Sequence, residues 1–298
     1  QELFRLKIDE GECMAWLTIN FKSDALNMPV MMDALIPQGH GNYKSLYLLH
    51  GAGGNHSSWL LKTRIADYVD KTDIAVFMPS GNNKFYVDNV NGKNYYTFIT
   101  KELPEKCETW FNLDVSRENR FIAGMSMGGY GAMYAALNRP DLYRAAFSYS
   151  GLLNVLERYD NPQGLDLYVP FGTRQQLIDN GFDLYDLLDK KYGNNIDNEC
   201  GKACGNHSGK IVENPACAID NNVDKSVDYV DNFPGIILEC GLSDSRIHMT
   251  RDFYKAAQEA GLKPVLYEEE GSHDFTYWDR CIERTVKYIS KGGSYGSN

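Results

Sequence analysis

The segment that most constrains this chain is a pattern of strand, sharp turn and helix around Ser126. Residues 120–123 are typical of a buried strand and lead directly into a G-x-S-x-G motif at residues 124–128. A serine on such a turn exposes its hydroxyl, and the glycines leave room for the following helix. The segment predicts a nucleophilic serine, and a tight turn without chemistry is the alternative. The helical spacing after the turn is set by Tyr130, Met133, Tyr134 and Leu137.

Short strand patterns alternate with helical patterns along most of the chain. From the third strand onward, helix-length segments separate the strands, which predicts an α/β fold with crossover connections and a mostly parallel sheet. We expect about eight strands, the first two joined by a turn at Asn27-Met28-Pro29. The predicted strands cover residues 14–21, 30–36, 45–49, 74–78, 120–123, 145–149, 236–240 and 265–268.

One stretch departs from this alternation. Residues 152–231, between the sixth and seventh strands, are polar and irregular. We interpret them as a cap inserted at the carboxyl end of a strand and expect one domain over residues 1–291. Residues 292–298 are rich in Gly and Ser, as in a flexible linker or a frayed tail. This tail and the start at Gln1 favour a processed, secreted protein linked to further modules, with a cytoplasmic location as the alternative.

Composition excludes several kinds of partner. The 298 residues include 40 acidic and 30 basic side chains, for a net charge of −10. An acidic surface repels phosphate, so we expect no nucleic-acid partner. No apolar run approaches the roughly 20 residues that a membrane-spanning helix needs, so we expect no membrane partner.

A nucleophilic serine needs a base, because a free hydroxyl is protonated near neutral pH. Among six histidines, His273 lies in a short loop between the last predicted strand and the last helix. That is the place of the base when nucleophile, acid and histidine follow in this chain order. Asp244 is the first carboxylate beyond the seventh strand and would orient the imidazole. The alternatives are a structural histidine and, for Asp244, a helix cap.

The transition state of attack on a carbonyl also needs two donors for its oxyanion. One is the backbone N–H of Met127, directly after the nucleophile, and the other belongs to the loop after the third strand. In that loop we select the Ala52 N–H, with Gly53 as the second choice. A phosphate-binding loop is the alternative, but neither G-x-G-x-x-G nor a Gly-Lys-Ser/Thr ending is present.

These motifs resemble the esterase-D-like serine carboxylesterases, which include tributyrin esterases, S-formylglutathione hydrolases and the feruloyl and acetylxylan esterases of carbohydrate esterase family one. The resemblance covers about residues 11–174 and 233–289. It rests on His50-Gly51-x-x-Gly54-Asn55, Phe85-Tyr86-x-Asp88, Tyr95-Tyr96, Glu102-Leu103-Pro104, Gly124-x-Ser126-Met127-Gly128-Gly129-Tyr130-Gly131-Ala132, Cys240-Gly241-x-x-Asp244 and Gly271-x-His273.

The resemblance implies an α/β-hydrolase fold, no cofactor, and hydrolysis of carboxylic esters through an acyl-enzyme at Ser126, Asp244 and His273. It also implies that Trp59 and Phe85 border the acyl pocket, although aromatic residues there equally often pack in a core. The expected partner is a small-molecule or polysaccharide-linked ester, with feruloyl or acetyl esters of plant xylan favoured. Alternatives are short-chain acyl esters, S-formylglutathione, acyl transfer to an alcohol, and a carbohydrate-binding relative without catalysis.

The insert contains a group of residues that the family resemblance does not cover. We expect a disulfide there in an oxidising compartment, with free thiols or a zinc site as alternatives. No CxxC pair is present, and we expect no metal in the active site. The group consists of Cys200, Cys204, His207 and Cys217.

Overall fold

The computed structural model of the protein describes residues 14–38, 41–160, 164–193 and 233–292. Within them, eight strands form one sheet. The predicted α/β class, with about eight strands in a mostly parallel sheet, is confirmed. The strands are β1 (Met14–Ser23), β2 (Met28–Pro37), β3 (Lys44–Leu49), β4 (Ile74–Pro79), β5 (Arg120–Met125), β6 (Ala145–Tyr149), β7 (Gly235–Gly241) and β8 (Val265–Glu269).

The sheet order places the ends of the central strands together. The order is β1-β2-β4-β3-β5-β6-β7-β8. The pairs β1–β2 and β2–β4 are antiparallel, and the pairs from β4–β3 to β7–β8 are parallel. In chain order β4 lies on one side of β3 and β5 on the other, which makes the carboxyl ends of β3 and β5 a topological switch point. Open α/β sheets bind ligands at such a point.

The first turn ends earlier than predicted. Met28 and Pro29 already belong to β2 and pair with β1. Asn27 closes the turn with a φ of 45°, a left-handed conformation that asparagine tolerates. The Glu102 carboxylate also stabilises the turn, because it accepts a hydrogen bond from the Asp24 amide (2.8 Å).

Helices cover both faces of the sheet. They are α1 (Ser58–Lys62), α2 (Ile65–Val69), α3 (Tyr95–Thr97), α4 (Leu103–Trp110), α5 (Met127–Asn138), α6 (Val155–Asp160), α7 (Tyr168–Phe171), α8 (Arg174–Asp179), α9 (Leu184–Tyr192), α10 (Ile247–Glu259) and α11 (Phe275–Ser290), with a π-helical stretch (Phe98–Glu102) between α3 and α4 and a 3-10 turn (Arg117–Asn119) before β5. None of the helices in the described ranges is both long and apolar enough to cross a membrane.

Strand β3 shows that a core lies on each face. Leu46 and Leu48 belong to one buried cluster, and Tyr47 and Leu49 belong to the other. Because side chains alternate between the two faces of a strand, the clusters lie on opposite sides of the sheet. Residues of α5 join the Tyr47 cluster, and residues of α11 join the Leu46 cluster. The sheet is thus the middle of three layers.

The first part of the insert is helical, which the sequence analysis did not predict. Helices α6 to α9 lie there, and α7, α9 and the loop before α9 contact α5. The Tyr130 hydroxyl donates to the Phe182 carbonyl (2.7 Å), and the Tyr192 hydroxyl donates to the Leu137 carbonyl (2.7 Å). The polar composition of the insert gave no signal for this packing, because these helices are short and each buries only a few side chains.

The second part of the insert, residues 194–232, lies outside the described residues. The prediction of a disulfide, free thiols or zinc there therefore stays a prediction. It concerns Cys200, Cys204, His207 and Cys217.

Candidate active site

Ser126 occupies a sharp turn between β5 and α5. Its backbone has φ 54° and ψ −115°, a conformation that costs free energy in a residue other than glycine. The surrounding backbone maintains it: the Ser126 amide donates to the Tyr149 carbonyl (2.9 Å), and the Leu152 amide donates to the Ser126 carbonyl (3.0 Å). The side chain is held at the end of β5 and lines a pocket.

Two glycines of the motif allow this turn to pack. A Cβ at Gly124 would lie 2.4 Å from the carbonyl carbon of Gly128. A Cβ at Gly128 would lie 2.5 Å from the carbonyl oxygen of Leu49 at the end of β3. Both distances are far below van der Waals contact, so α5 can approach β3 and β5 this closely only when both residues lack a side chain.

His273 and Asp244 come together from the ends of β8 and β7. The His273 Nδ1 atom lies 2.8 Å from Asp244 Oδ2, and the Asp244 side chain is fully buried. Its other oxygen accepts a hydrogen bond from the Arg246 amide (2.8 Å). Burial pushes the pKa of Asp244 upward, but the hydrogen bonds from His273 and from that amide outweigh it, so the pKa lies below its ordinary value. An ionised Asp244 holds the His273 proton on Nδ1 and leaves Nε2 unprotonated.

Asp274, adjacent to His273 in sequence, serves a different purpose. Its side chain accepts a hydrogen bond from the Tyr277 amide (3.1 Å) and caps α11. Because the cap directs this carboxylate to the start of α11, Asp244 is the carboxylate that contacts the histidine.

Ser126 and His273 line the same pocket, of about 250 Å³. Within the described residues, no hydrogen bond joins Ser126 Oγ to His273 Nε2. The Nε2 atom instead contacts the Nη1 atom of Arg246, and Arg246 also lines the pocket. The guanidinium can only donate, so this contact is consistent with an unprotonated Nε2.

Arg246 is a site residue that sequence reasoning missed. It lies two residues after Asp244, and the only available signal was a basic side chain in the loop that supplies the predicted acid. A single arginine in a loop is most often a solvated surface residue. Its position beside His273 depends on the convergence of the β7 and β8 loops.

The backbone donors predicted for an oxyanion lie at the same pocket. Met127 is the first residue of α5, where the amide has no acceptor within the helix. Ala52 lines the pocket. Gly53, the second choice, donates its amide to the Asn83 side chain (2.6 Å). Because this amide is already used, Ala52 is the better candidate of the two.

His50, at the start of the same loop, has a structural role. Its Nε2 accepts a hydrogen bond from the Gly81 amide (2.8 Å), so Nδ1 carries the proton and lies 2.8 Å from the Gly51 carbonyl. Burial lowers the pKa of His50 to about 4. A neutral His50 therefore ties the loop after β3 to the loop after β4, and both ring nitrogens are occupied.

The structure does not bring Trp59 and Phe85 to the pocket. Trp59 is fully buried, and its Nε1 donates to the Leu49 carbonyl (3.1 Å). Phe85 is 1% exposed and packs edge-on against Phe171 with ring centroids 4.9 Å apart. Their positions near strand ends reflect core packing. The aromatic residues that do line the pocket are Phe275 and Trp278, both at the start of α11.

Within the described ranges, no group of three or more His, Cys, Asp or Glu side chains is placed to hold a metal ion. The cysteines described there are buried free thiols. They are Cys107, Cys240 and Cys281.

The fold and the serine turn define the class as the α/β-hydrolase serine hydrolases. Residues 23–209 match the model of the Esterase family, described as "Putative esterase", and the chain belongs to this family. An acetyl esterase of Caldicellulosiruptor saccharolyticus is 28% identical over 291 residues, which are 93% of this chain and 99% of that protein. The resemblance to the esterase-D-like carboxylesterases is confirmed.

Solved structures support the same fold. The fluorophosphonate-binding serine hydrolase F of Staphylococcus aureus superposes with a TM-score of 0.75 at 22% identity, over 93% of this chain and 98% of that chain. A ferulic acid esterase superposes with a TM-score of 0.70 at 19% identity, over 94% of this chain and 99% of that chain. The predicted α/β-hydrolase fold is confirmed.

Proposed function

We propose that the protein is a serine carboxylesterase whose triad is Ser126, His273 and Asp244. The observation that carries the proposal is the Asp244–His273 hydrogen bond (2.8 Å) at the pocket that Ser126 lines from its strained turn. Family membership supports ester hydrolysis as the reaction. The three residues come from separate strand ends, and their convergence on one pocket is what nucleophilic catalysis requires.

In this mechanism Ser126 Oγ attacks the ester carbonyl while His273 Nε2 takes the hydroxyl proton. The N–H groups of Met127 and Ala52 stabilise the oxyanion, aided by the N-terminal end of α5. His273 then protonates the leaving alcohol, and water attacks the acyl-enzyme by the same sequence of proton transfers. Asp244 keeps the imidazole in the tautomer with a free Nε2 and stabilises the imidazolium.

The contact between Arg246 and His273 has to be released during this cycle. Nε2 has one lone pair, and Arg246 occupies it in the structure. Once Arg246 turns away, Nε2 is free to accept the proton of Ser126. We therefore propose that Arg246 contacts the substrate when the pocket is filled.

Acetyl is the acyl group that we favour. The relative matched over almost its whole length is named an acetyl esterase, and a pocket of about 250 Å³ suits a short acyl chain. We propose acetyl groups carried by a carbohydrate such as xylan as the substrate class. Feruloyl esters are the second candidate, supported by structural likeness to a ferulic acid esterase.

The triad is tested with Ser126→Ala on p-nitrophenyl acetate. Losing the nucleophile is expected to lower kcat by at least about 10⁴-fold, with an unchanged melting temperature. Ser290→Ala, an exposed serine at the end of α11, is the matched control and keeps wild-type activity. Turnover by Ser126→Ala above a tenth of wild type would contradict the proposal.

The substrate is tested by comparing kcat/KM on acetylated xylan, methyl ferulate and tributyrin under one set of conditions. We expect acetylated xylan to be turned over best. Preference for methyl ferulate or for tributyrin would replace the acetyl assignment while leaving the triad in place.

A further inference from the structure

The charge of the pocket is opposite to the charge of the chain. The chain carries a net charge of −10, yet the charged side chains among the described residues that line the pocket are Lys62 and Arg246. The nearest acid, Asp244, is fully buried and already bound to His273. The pocket thus presents positive charge beside the reacting groups.

Within the described part of the chain, Arg246 forms no ion pair with a carboxylate, and its Nη1 contacts the ring nitrogen of His273. Its Nε atom is buried and has no hydrogen-bond partner. Burial is the main cause that lowers the pKa of Arg246, and the charge of Arg158 lowers it further against the opposite effect of Asp244. A second guanidinium is therefore close enough to Arg246 to interact with it.

Arg158, on α6 of the insert, is that second guanidinium. It is only 8% exposed, and its Nε atom is also buried without a partner. No carboxylate of the described residues lies within ion-pair distance of it. Its neighbour Glu157 pairs with His248 (3.2 Å) at the start of α10, which holds α6 against the helix that begins beside Arg246.

Arg158 is buried and Arg246 is half-buried, and each has a buried Nε–H group without an acceptor among the described residues. Two neighbouring cations with unfilled donors are unfavourable. An anion between them would supply both an opposite charge and hydrogen-bond acceptors. Arginine is suited to a carboxylate, since its planar fork can donate two parallel hydrogen bonds. The unfilled donors therefore point to a ligand with a carboxylate.

We propose that Arg158 and Arg246 bind a carboxylate group of the ester substrate next to His273. This proposal rests on the proposed esterase function and adds a substrate class to it: esters with a carboxylate on the acyl or the alcohol portion. Binding would draw the Arg246 guanidinium away from His273. The same contact that recognises the substrate would then free Nε2 to act as base on Ser126.

The test compares matched ester pairs that differ in one charge. For the alcohol side, the pair is 4-acetoxybenzoate and methyl 4-acetoxybenzoate. The methyl ester has the better leaving group, so faster turnover of the carboxylate would not reflect intrinsic reactivity. For the acyl side, the pair is monoethyl succinate and ethyl butyrate. We expect kcat/KM for the charged member to exceed that of the neutral member at least tenfold in one pair.

The variants Arg158→Gln and Arg246→Gln are each expected to lower this ratio of kcat/KM values at least tenfold. Each variant is measured with its melting temperature, and two separate positions keep the test usable if one variant does not fold. Arg251→Gln is the matched control, because Arg251 is an exposed arginine on α10 that already pairs with Glu268 (2.7 Å). This control keeps the wild-type ratio.

Two results would overturn the carboxylate site. One is a ratio near or below one in both pairs while the neutral esters are hydrolysed, which leaves the esterase function intact. The other is a high ratio that survives both arginine substitutions, which assigns the preference to another cation such as Lys62. Absence of hydrolysis of every ester would instead refute the esterase function and this proposal with it.

Discussion

The two sides of the pocket are held by different kinds of contact. On the Ser126 side, backbone hydrogen bonds and close backbone packing fix the proposed nucleophile, as shown by the bonds of Ser126 to Tyr149 and Leu152. On the His273 side, position depends on side chains: Asp244 and Arg246 contact the ring nitrogens, and Trp278 packs edge-on against the ring with centroids 4.9 Å apart.

The two sides also differ in burial. Ser126 is 7% exposed, whereas the His273 side chain is 26% exposed. A backbone turn has one conformation, but side-chain contacts can be exchanged at modest cost. The comparison indicates that the proposed nucleophile is preorganised, while the position of the proposed base depends on which group Arg246 contacts.

The His273 side of the pocket is tested most strongly by Asp244→Asn. The amide cannot hold the same histidine tautomer, so kcat on p-nitrophenyl acetate is expected to fall about 10⁴-fold with little change in fold. Asp274→Asn is the control, because asparagine caps a helix as well as aspartate does, and it should retain wild-type kcat. A loss of less than tenfold in Asp244→Asn would show that another group orients His273.

The Ser126 side of the pocket is tested by Gly128→Ala. The added Cβ would meet the Leu49 carbonyl at 2.5 Å, so the free energy of unfolding is expected to fall by about 3 kcal/mol or more. Urea unfolding measures it. Gly41→Ala, where an added Cβ meets nothing within 4 Å, is the control. Similar stability in the two variants would contradict the close packing of α5.

The role of His50 in the loop that carries Ala52 is tested by the pH dependence of the protein's stability. Below pH 6.5 the unfolded chain binds a proton at His50, but the folded protein does so only near its pKa of about 4. Because the unfolded state then binds more protons, stability falls as pH falls through this window. Between pH 7 and 5 the loss attributed to His50 is about 2 kcal/mol.

This loss is expected to disappear in His50→Gln when urea unfolding is measured at both pH values. The ordinary carboxylates titrate below this window, which separates their contribution. His56→Gln, a partly exposed histidine of the same loop, is the control and keeps the loss. An unchanged pH dependence in His50→Gln would show that His50 is not buried as a neutral ring.

Much of the fold could be predicted, and the candidate residues Ser126, Asp244 and His273 could be selected, because their signals are local. The G-x-S-x-G turn carries its own steric requirements, and hydrophobic periodicity marks the strands and helices. Asp244 and His273 were selected by their order after successive strands, and the structure places them in hydrogen-bond contact. Trp59 and Phe85, predicted to border the acyl pocket, are buried and are not among the described residues that line the pocket around Ser126. Proximity to a strand end does not reveal which way a side chain faces.

The sequence by itself determined the α/β class, the number of strands, the serine turn and the order of the candidate residues, since each depends on neighbours along the chain. The strand order, the packing of the first half of the insert onto α5, and the meeting of Arg246 with His273 and Arg158 were decided only in the tertiary structure. These contacts join residues from different elements, so their free energies depend on shape and burial that appear only when the elements pack.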